Sequence, residues 1–272
     1  MRLAAENALA GKLGKLFSEA EKKTLRLYLK HAGDPDALQF QAREILQPLF
    51  DMEPRYVDTI LYDNVKAFRN GRKNTIDLLN IQLSRSKQLT LTDFNQNVYT
   101  NLANQTFTAS ARTMNRVRNN ITNILAEAYQ EGWGIQNATR KLKKEFNALK
   151  TYEARRIART ELNSAQNQGA FQTYEDYGVE YHQWWTGQDS RVRDSHRGLH
   201  GQIVQVGKPF ENGLMFPGDR NGRIREWIHC RCTTVPYLMP LGFMAPMGMP
   251  YFHESDIVRI PNFKIPRDIL EF

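Results

Sequence analysis

Cysteine is almost missing from this 272-residue chain, which holds only Cys230 and Cys232, one residue apart. A disulfide framework is thereby excluded. A Cys-x-Cys pair is poorly placed to bridge to itself, so thiol or metal chemistry is the expectation for these two side chains. Long apolar runs are also missing. None approaches the roughly 20 residues that cross a bilayer, and the opening Met1-Arg2-Leu3-Ala4-Ala5-Glu6 lacks the apolar core and cleavage pattern of a signal peptide. These absences predict a protein with no membrane anchor, made and kept in the cytoplasm. The first half also lacks a glycine-rich phosphate loop, a metal-ligand spacing and a nucleophile elbow, so it reads as scaffold or docking surface.

What is present is a 41% hydrophobic content, enough for a packed core, and a net charge of +8. The charge is unevenly spread. Residues 1–150 hold 23 Lys and Arg against 15 Asp and Glu, whereas residues 151–272 hold 14 against 14. Three clusters stand out: Arg69, Arg72 and Lys73; Arg112, Arg116 and Arg118; Arg140, Lys141, Lys143 and Lys144. Each is either a solvated helix face or a contact for phosphates or an acidic protein surface.

The first half reads as helical almost throughout. Leu9, Leu13, Leu16, Phe17 and Ala20 recur at helical spacing and predict an amphipathic opening helix. The turn His31-Ala32-Gly33-Asp34-Pro35-Asp36 ends it. Separate helices are expected over about 36–50, 54–69 and 74–86, then a long polar helical region from Thr90-Leu91-Thr92-Asp93 to Glu131. Frequent Asn and Gln between 79 and 124 argue against a tight core there. Gly132-Trp133-Gly134 breaks the pattern, and Ile135–Leu149 resumes it as a basic helix.

In the helix that follows, Arg156, Arg159, Asn163 and Asn167 share one face, with Glu161, Ala165 and Gly169 on a neighbouring one. Small residues at 165 and 169 would admit a second backbone closely. After Tyr177-Gly178 the period changes to that of a strand, 179–185, ending in Trp184 and Trp185, one inward and one outward. The polar run Asp189-Ser190-Arg191-Val192-Arg193-Asp194-Ser195-His196 comes next, then a turn at Gly198–Gly201 into a short strand. Residues 207–222 form a glycine-rich loop with Phe210, Met215 and Phe216 as anchors, and 227–235 read as a last strand carrying both cysteines on one face. The stretch 239–250 is rich in Met, Pro and Gly, too broken for a membrane helix, and is expected to dock on another subunit or fold back on the domain.

Taken together, Arg159-Thr160-Glu161, Ala165, Asn167, Gly169, Trp185, Asp189, Arg191-Val192-Arg193, His196, Leu199, Gly201, Cys230-Arg231-Cys232 and Pro236 resemble the Mu F-like phage minor head proteins, also called phage head morphogenesis proteins. The resemblance covers roughly residues 130–238 and rests on many separately spaced positions. It implies a low-copy virion component of a tailed virus, in the head interior or near the portal and in host cytoplasm during assembly. Its implied partners are the portal protein, packaged DNA, and major capsid or scaffold protein. It implies action in head assembly or genome delivery. A basic nucleic-acid-binding accessory protein delivered with the genome is the alternative.

The resemblance also bears on the cysteines. Relatives carry a Cys-x-x-Cys pair after the Asp and a His ahead of the Cys-x-Cys, a set suited to structural zinc. Here Arg193 stands at the first of those cysteines, His196 at the second, and Trp227 where the downstream His is expected. The metal candidates are therefore His196, Cys230 and Cys232, with His200 or His229 as a fourth ligand. The competing expectation is a metal-free polar network of Arg193, Asp189, Asp194 and His196 over buried thiols, and no cofactor. A nuclease or cysteine hydrolase is disfavoured, because carboxylates beyond Asp189 and Asp194 and an oxyanion-hole signature are lacking. No enzymatic activity is expected.

The sequence thus predicts an α+β protein. A helical basic region, 1–130, precedes a small α+β domain with a mainly antiparallel sheet, 131–238, and a Met- and Pro-rich tail, 239–272.

Overall fold

The computed structural model describes residues 2–32, 41–83, 88–92 and 96–264. The predicted turn at 33–36, the helix start near 36, the helix end at 84–86, Asp93 and the final residues of the tail lie outside the described residues. Contacts divide the chain into two compact units, residues 1–65 with 94–161 and residues 66–93 with 162–272. Two helices pass from one unit to the other.

In the first unit, α1 (Arg2–His31) buries Leu9, Leu13, Leu16, Phe17 and Ala20, the stripe its spacing predicts. The next helix, α2 (Ala42–Leu83), is continuous where three separate helices were expected. Pro48 and Pro54 each omit a ladder hydrogen bond, but Ile45, Leu49, Met52, Tyr56 and Ile60 keep one face buried across both. Tertiary packing therefore outweighs the local proline cost. In α3 (Gln96–Gln130), Leu102, Thr106, Ser110, Met114, Val117, Ile121, Leu125 and Ala128 form a buried stripe at helical spacing. The abundant Asn and Gln occupy the other faces, so the segment has the core contact that its composition argued against. After the Gly132-Trp133-Gly134 break, α4 (Ile135–Ala148) buries Ala138, Leu142 and Phe146. It passes through a π-helical turn (Leu149–Glu153) into α5 (Ala154–Asp176).

Ion pairs join the helices of this unit: Glu6 with Arg159 at 2.9 Å, Glu21 with Lys150 at 2.6 Å and Glu53 with Arg118 at 2.6 Å. Arg116 is likewise held by Glu153 at 2.9 Å. Two members of the Arg112, Arg116 and Arg118 cluster, read from sequence as either a solvated face or a contact surface, are thus internal links.

In the second unit, the C-terminal part of α2 meets the C-terminal part of α5 at glycines. A Cβ added to Gly71 would lie 2.0 Å from the Gln166 carbonyl oxygen, and one added to Gly169 would lie 2.1 Å from the Phe68 carbonyl oxygen. Gly71 lies in the Asn70–Lys73 stretch left between two predicted helices, and the structure makes it a close-approach site inside one helix. Arg72 is 1% exposed and bonds Asp176 at 2.5 Å and the Thr92 hydroxyl at 3.2 Å. Arg72 is therefore neither a solvated residue nor a partner contact, the two readings its cluster allowed, but a buried tie.

The sheet of this unit is antiparallel, in the order β3-β1-β2-β5. Its strands are β1 (Tyr181–Trp185), β2 (Ile203–Gln205), β3 (Thr233–Tyr237) and β5 (Tyr251–Phe252). Alternation turns His182 and Trp184 inward, while Trp185 is 43% exposed. Part of the tail folds back through β5, and β4 (Phe243–Met244) pairs with β6 (Val258–Arg259). The fold class is α+β.

Candidate functional site

The site lies at the end of the sheet where β3 begins. Residues 227–232 were expected to extend that strand, yet the chain makes a helical turn, α7 (Ile224–Trp227), and only enters β3 at Thr233. His229 takes a left-handed φ of 58° between them. This bend matters because it turns both sulfurs inward, and the Cys232 N–H points at Cys230 Sγ, 3.4 Å away. Opposite, a short helix, α6 (Asp194–Arg197), presents His196.

The three side chains converge. His196 Nδ1 lies 3.6 Å from Cys230 Sγ and 3.5 Å from Cys232 Sγ, and all three donor atoms fall within 4.8 Å of one another. The residues are 1%, 2% and 3% exposed. The Trp184 ring stands edge-on to His196 at 5.3 Å, and Trp184, Leu199, Val204, Phe210 and Leu214 pack beneath the thiols as one apolar cluster. Phe210 is thus a true loop anchor.

Glu226, on α7, completes the arrangement. Its Oε2 lies 3.1 Å from His196 Nε2 and accepts a hydrogen bond from Ser195 Oγ at 2.9 Å. A carboxylate on Nε2 places the imidazole proton there and turns the Nδ1 lone pair toward the sulfurs. The two thiols are shifted in opposite directions. Cys230 is held well below the usual thiol range, first by its hydrogen bond with Cys232, with burial opposing and His196 assisting. Cys232 is pushed up by that same bond and by burial.

The expected Arg193-Asp189-Asp194-His196 network takes a different form. Arg193 donates to the Ile228 carbonyl oxygen and so holds the cysteine turn. Asp189 accepts from both terminal nitrogens of the Arg231 guanidinium, the Nη1 contact at 2.6 Å, and this pairing holds its carboxyl down to about 2. Asp194 is an exposed partner of Arg197 at 3.2 Å. The carboxylate that reaches His196 is Glu226, which sequence reasoning missed; its position four residues before Cys230, near a histidine, was the available signal.

The remaining predicted residues serve the frame. Asn167 on α5 donates to the Cys232 carbonyl oxygen at 3.1 Å and accepts from Thr233 Oγ1 at 2.9 Å, tying the cysteine turn to the helix. Gly201, at φ 81°, closes the turn beside β1, its N–H bonding the Trp184 carbonyl. Glu161 accepts from Asn64 at 3.0 Å within the first unit. Trp185 lies edge-on to the His200 ring at 5.1 Å, and His200 bonds Thr186 and Gln188. Among the described residues, neither His200 nor His229 joins the converging donors. Trp227 donates to the Gly222 carbonyl oxygen at 3.2 Å.

Residues 119–235 match the family model described as Phage Mu protein F like protein. The chain carries a Mu F-like region. That Mu F-like region starts within α3 and ends in β3, so it includes His196, Glu226, Cys230 and Cys232. An uncharacterized protein of Methanocaldococcus jannaschii, MJ0329, is 33% identical over 113 residues, which are 42% of this chain and 16% of that protein. The chain therefore spans 16% of the length of that relative. No solved structure matches the chain.

Proposed function

We propose that the chain is a minor head protein of a tailed virus, present in a few copies, bound near the portal and packaged DNA, and acting in head assembly or genome delivery. The observation that carries this reading is the Mu F-like region at residues 119–235. The charge distribution supports it. Of the three basic clusters, the one on α4 is exposed at every member, Arg140, Lys141, Lys143 and Lys144. They border a shallow depression of about 720 Å³ whose other walls include Leu29, Ile135 and Thr139. Such a surface suits phosphates or an acidic protein face. No helix among the described residues is long and apolar enough to cross a membrane.

The role is structural in this reading. His196, Cys230 and Cys232 are 1%, 2% and 3% exposed, so a substrate has no open path to the imidazole or to either sulfur. A metal-dependent turnover of DNA or peptide abolished by His196→Ala would overturn that part.

The experiment is mass spectrometry of purified particles, together with co-purification of the full chain with the portal protein of the same virus. Presence at low stoichiometry and co-elution with portal are expected. Absence from particles would end the reading. Salt-sensitive DNA binding without portal association, by a chain that is found in particles, would favour the accessory-protein alternative instead.

A further inference from the structure

We propose that His196 Nδ1, Cys230 Sγ and Cys232 Sγ bind one zinc ion through three protein ligands, with Glu226 as the positioning residue of His196 and a small exogenous donor such as water in the fourth place. This inference stands apart from the head-protein reading and does not depend on it.

The argument begins with spacing. Zinc bonds of about 2.3 Å to sulfur and about 2.0–2.1 Å to nitrogen, set at a tetrahedral angle, place S and N about 3.5 Å apart. The two S···Nδ1 distances here are 3.6 and 3.5 Å. Thiol-to-imidazole hydrogen bonds give similar pairwise distances, and what adds to them is that all three donor atoms fall within 4.8 Å of one another. The bend at His229 supplies the curved backbone that two ligands one residue apart require. An N–H pointing at a thiolate, as from Cys232 to Cys230, offsets part of the negative charge on sulfur.

The outer contacts have the same sense. A ligating histidine characteristically donates its second ring N–H to a carboxylate, and Glu226 is in that position. Two thiolates and a neutral imidazole neutralise a divalent cation, and soft sulfur with borderline nitrogen selects zinc over calcium or magnesium. Binding expels the remaining thiol protons to solvent, so affinity rises with pH. Arg193 cannot ligate, and it bonds the Ile228 carbonyl next to the site. The protein thus supplies three donors among the described residues, not four. The ion would join α6 to the turn before β3, across 34 and 36 residues of chain.

The test uses the full-length chain and needs no activity. Cobalt(II) is titrated into the metal-stripped, folded protein, and the absorption spectrum is followed. Expected are thiolate-to-cobalt charge transfer and intense tetrahedral ligand-field bands saturating at about one equivalent, both removed by added zinc. Glu226→Gln is expected to weaken cobalt binding by roughly tenfold to a hundredfold while leaving the bands in place, and Cys230→Ser to lose the charge-transfer band. If the serine variant does not fold, the wild-type spectrum and the Glu226→Gln titration decide. Folded wild type that shows no charge-transfer band, and retains about a tenth of an equivalent of zinc or less after reconstitution, would overturn the proposal. Unchanged affinity in Glu226→Gln would overturn the assigned role of Glu226.

Discussion

His182 lies fully buried in β1, with the rings of Phe210, Tyr174 and Phe171 at 4.9, 5.4 and 5.7 Å and no hydrogen-bond partner for either ring nitrogen. Burial alone pushes its pKa down to about 3 from an ordinary 6.5. The folded state therefore demands the neutral ring, while the unfolded chain takes up a proton below about pH 6.5. The stability so held is complete above the unfolded value and is lost as pH falls from there toward 3. A gap of this size corresponds to roughly 5 kcal/mol at the acid end. Urea unfolding is predicted to show a steep loss of stability between about pH 6 and 4, and His182→Leu is predicted to flatten it. Parallel pH profiles for the two proteins would refute the assignment. Asn167 carries a second residue-scale prediction. Its amide makes two bonds to the segment that begins β3, to the Cys232 carbonyl and from the Thr233 hydroxyl, so Asn167→Ala leaves a buried carbonyl under-bonded. A loss of about 1–3 kcal/mol is expected from chemical denaturation.

At the scale of elements, the contact between the C-terminal parts of α2 and α5 is set by Gly71 and Gly169. Each faces a backbone carbonyl at a distance no real Cβ tolerates, and backbone cannot swing away as a flexible side chain does. Gly169→Ala is predicted to cost about 3 kcal/mol or more, visible as a large fall in thermal midpoint. Unaltered stability would mean that the helices separate freely there. The spacing of Ala165 and Gly169 made one half of this contact legible. Its partner was not, because Gly71 in sequence carries the same signal whether it ends a helix or admits a neighbour. The Pro48 and Pro54 positions misled in the same way: local cost is read from sequence, but the buried face that overrides it is known only once the other elements are in place.

For the whole molecule, each compact unit is assembled from two separated stretches of chain. A fragment of residues 131–272 keeps the Mu F-like site but lacks 66–93, which supply Arg72, Gly71 and Leu79 to the second unit. Such a fragment is predicted to lose near-ultraviolet circular dichroism relative to the full chain and to expose apolar surface to a fluorescent dye. A cooperative, native-like fragment would show that 66–93 are dispensable. The excess positive charge of residues 1–150 is also sorted at this scale. Arg72, Arg116 and Arg118 are used inside the protein, whereas the α4 cluster stays exposed.

Several features were determined by sequence alone, since each depends on neighbours within a few residues. These are the helical first half, the stripe Leu9 to Ala20, the break at Gly132–Gly134, the inward Trp184 and outward Trp185, the Mu F-like spacing and the three candidate donors. Tertiary structure decided the rest. It merged three expected helices into α2, spent Arg72, Arg116 and Arg118 from two of the basic clusters on internal pairs, and exchanged a predicted polar network for Glu226 on His196. It also turned residues 228–232 away from strand geometry. Those outcomes depend on which distant surfaces meet, and no local period records that a carboxylate at 226 and a ring at 196, 30 residues apart, will lie 3.1 Å from each other.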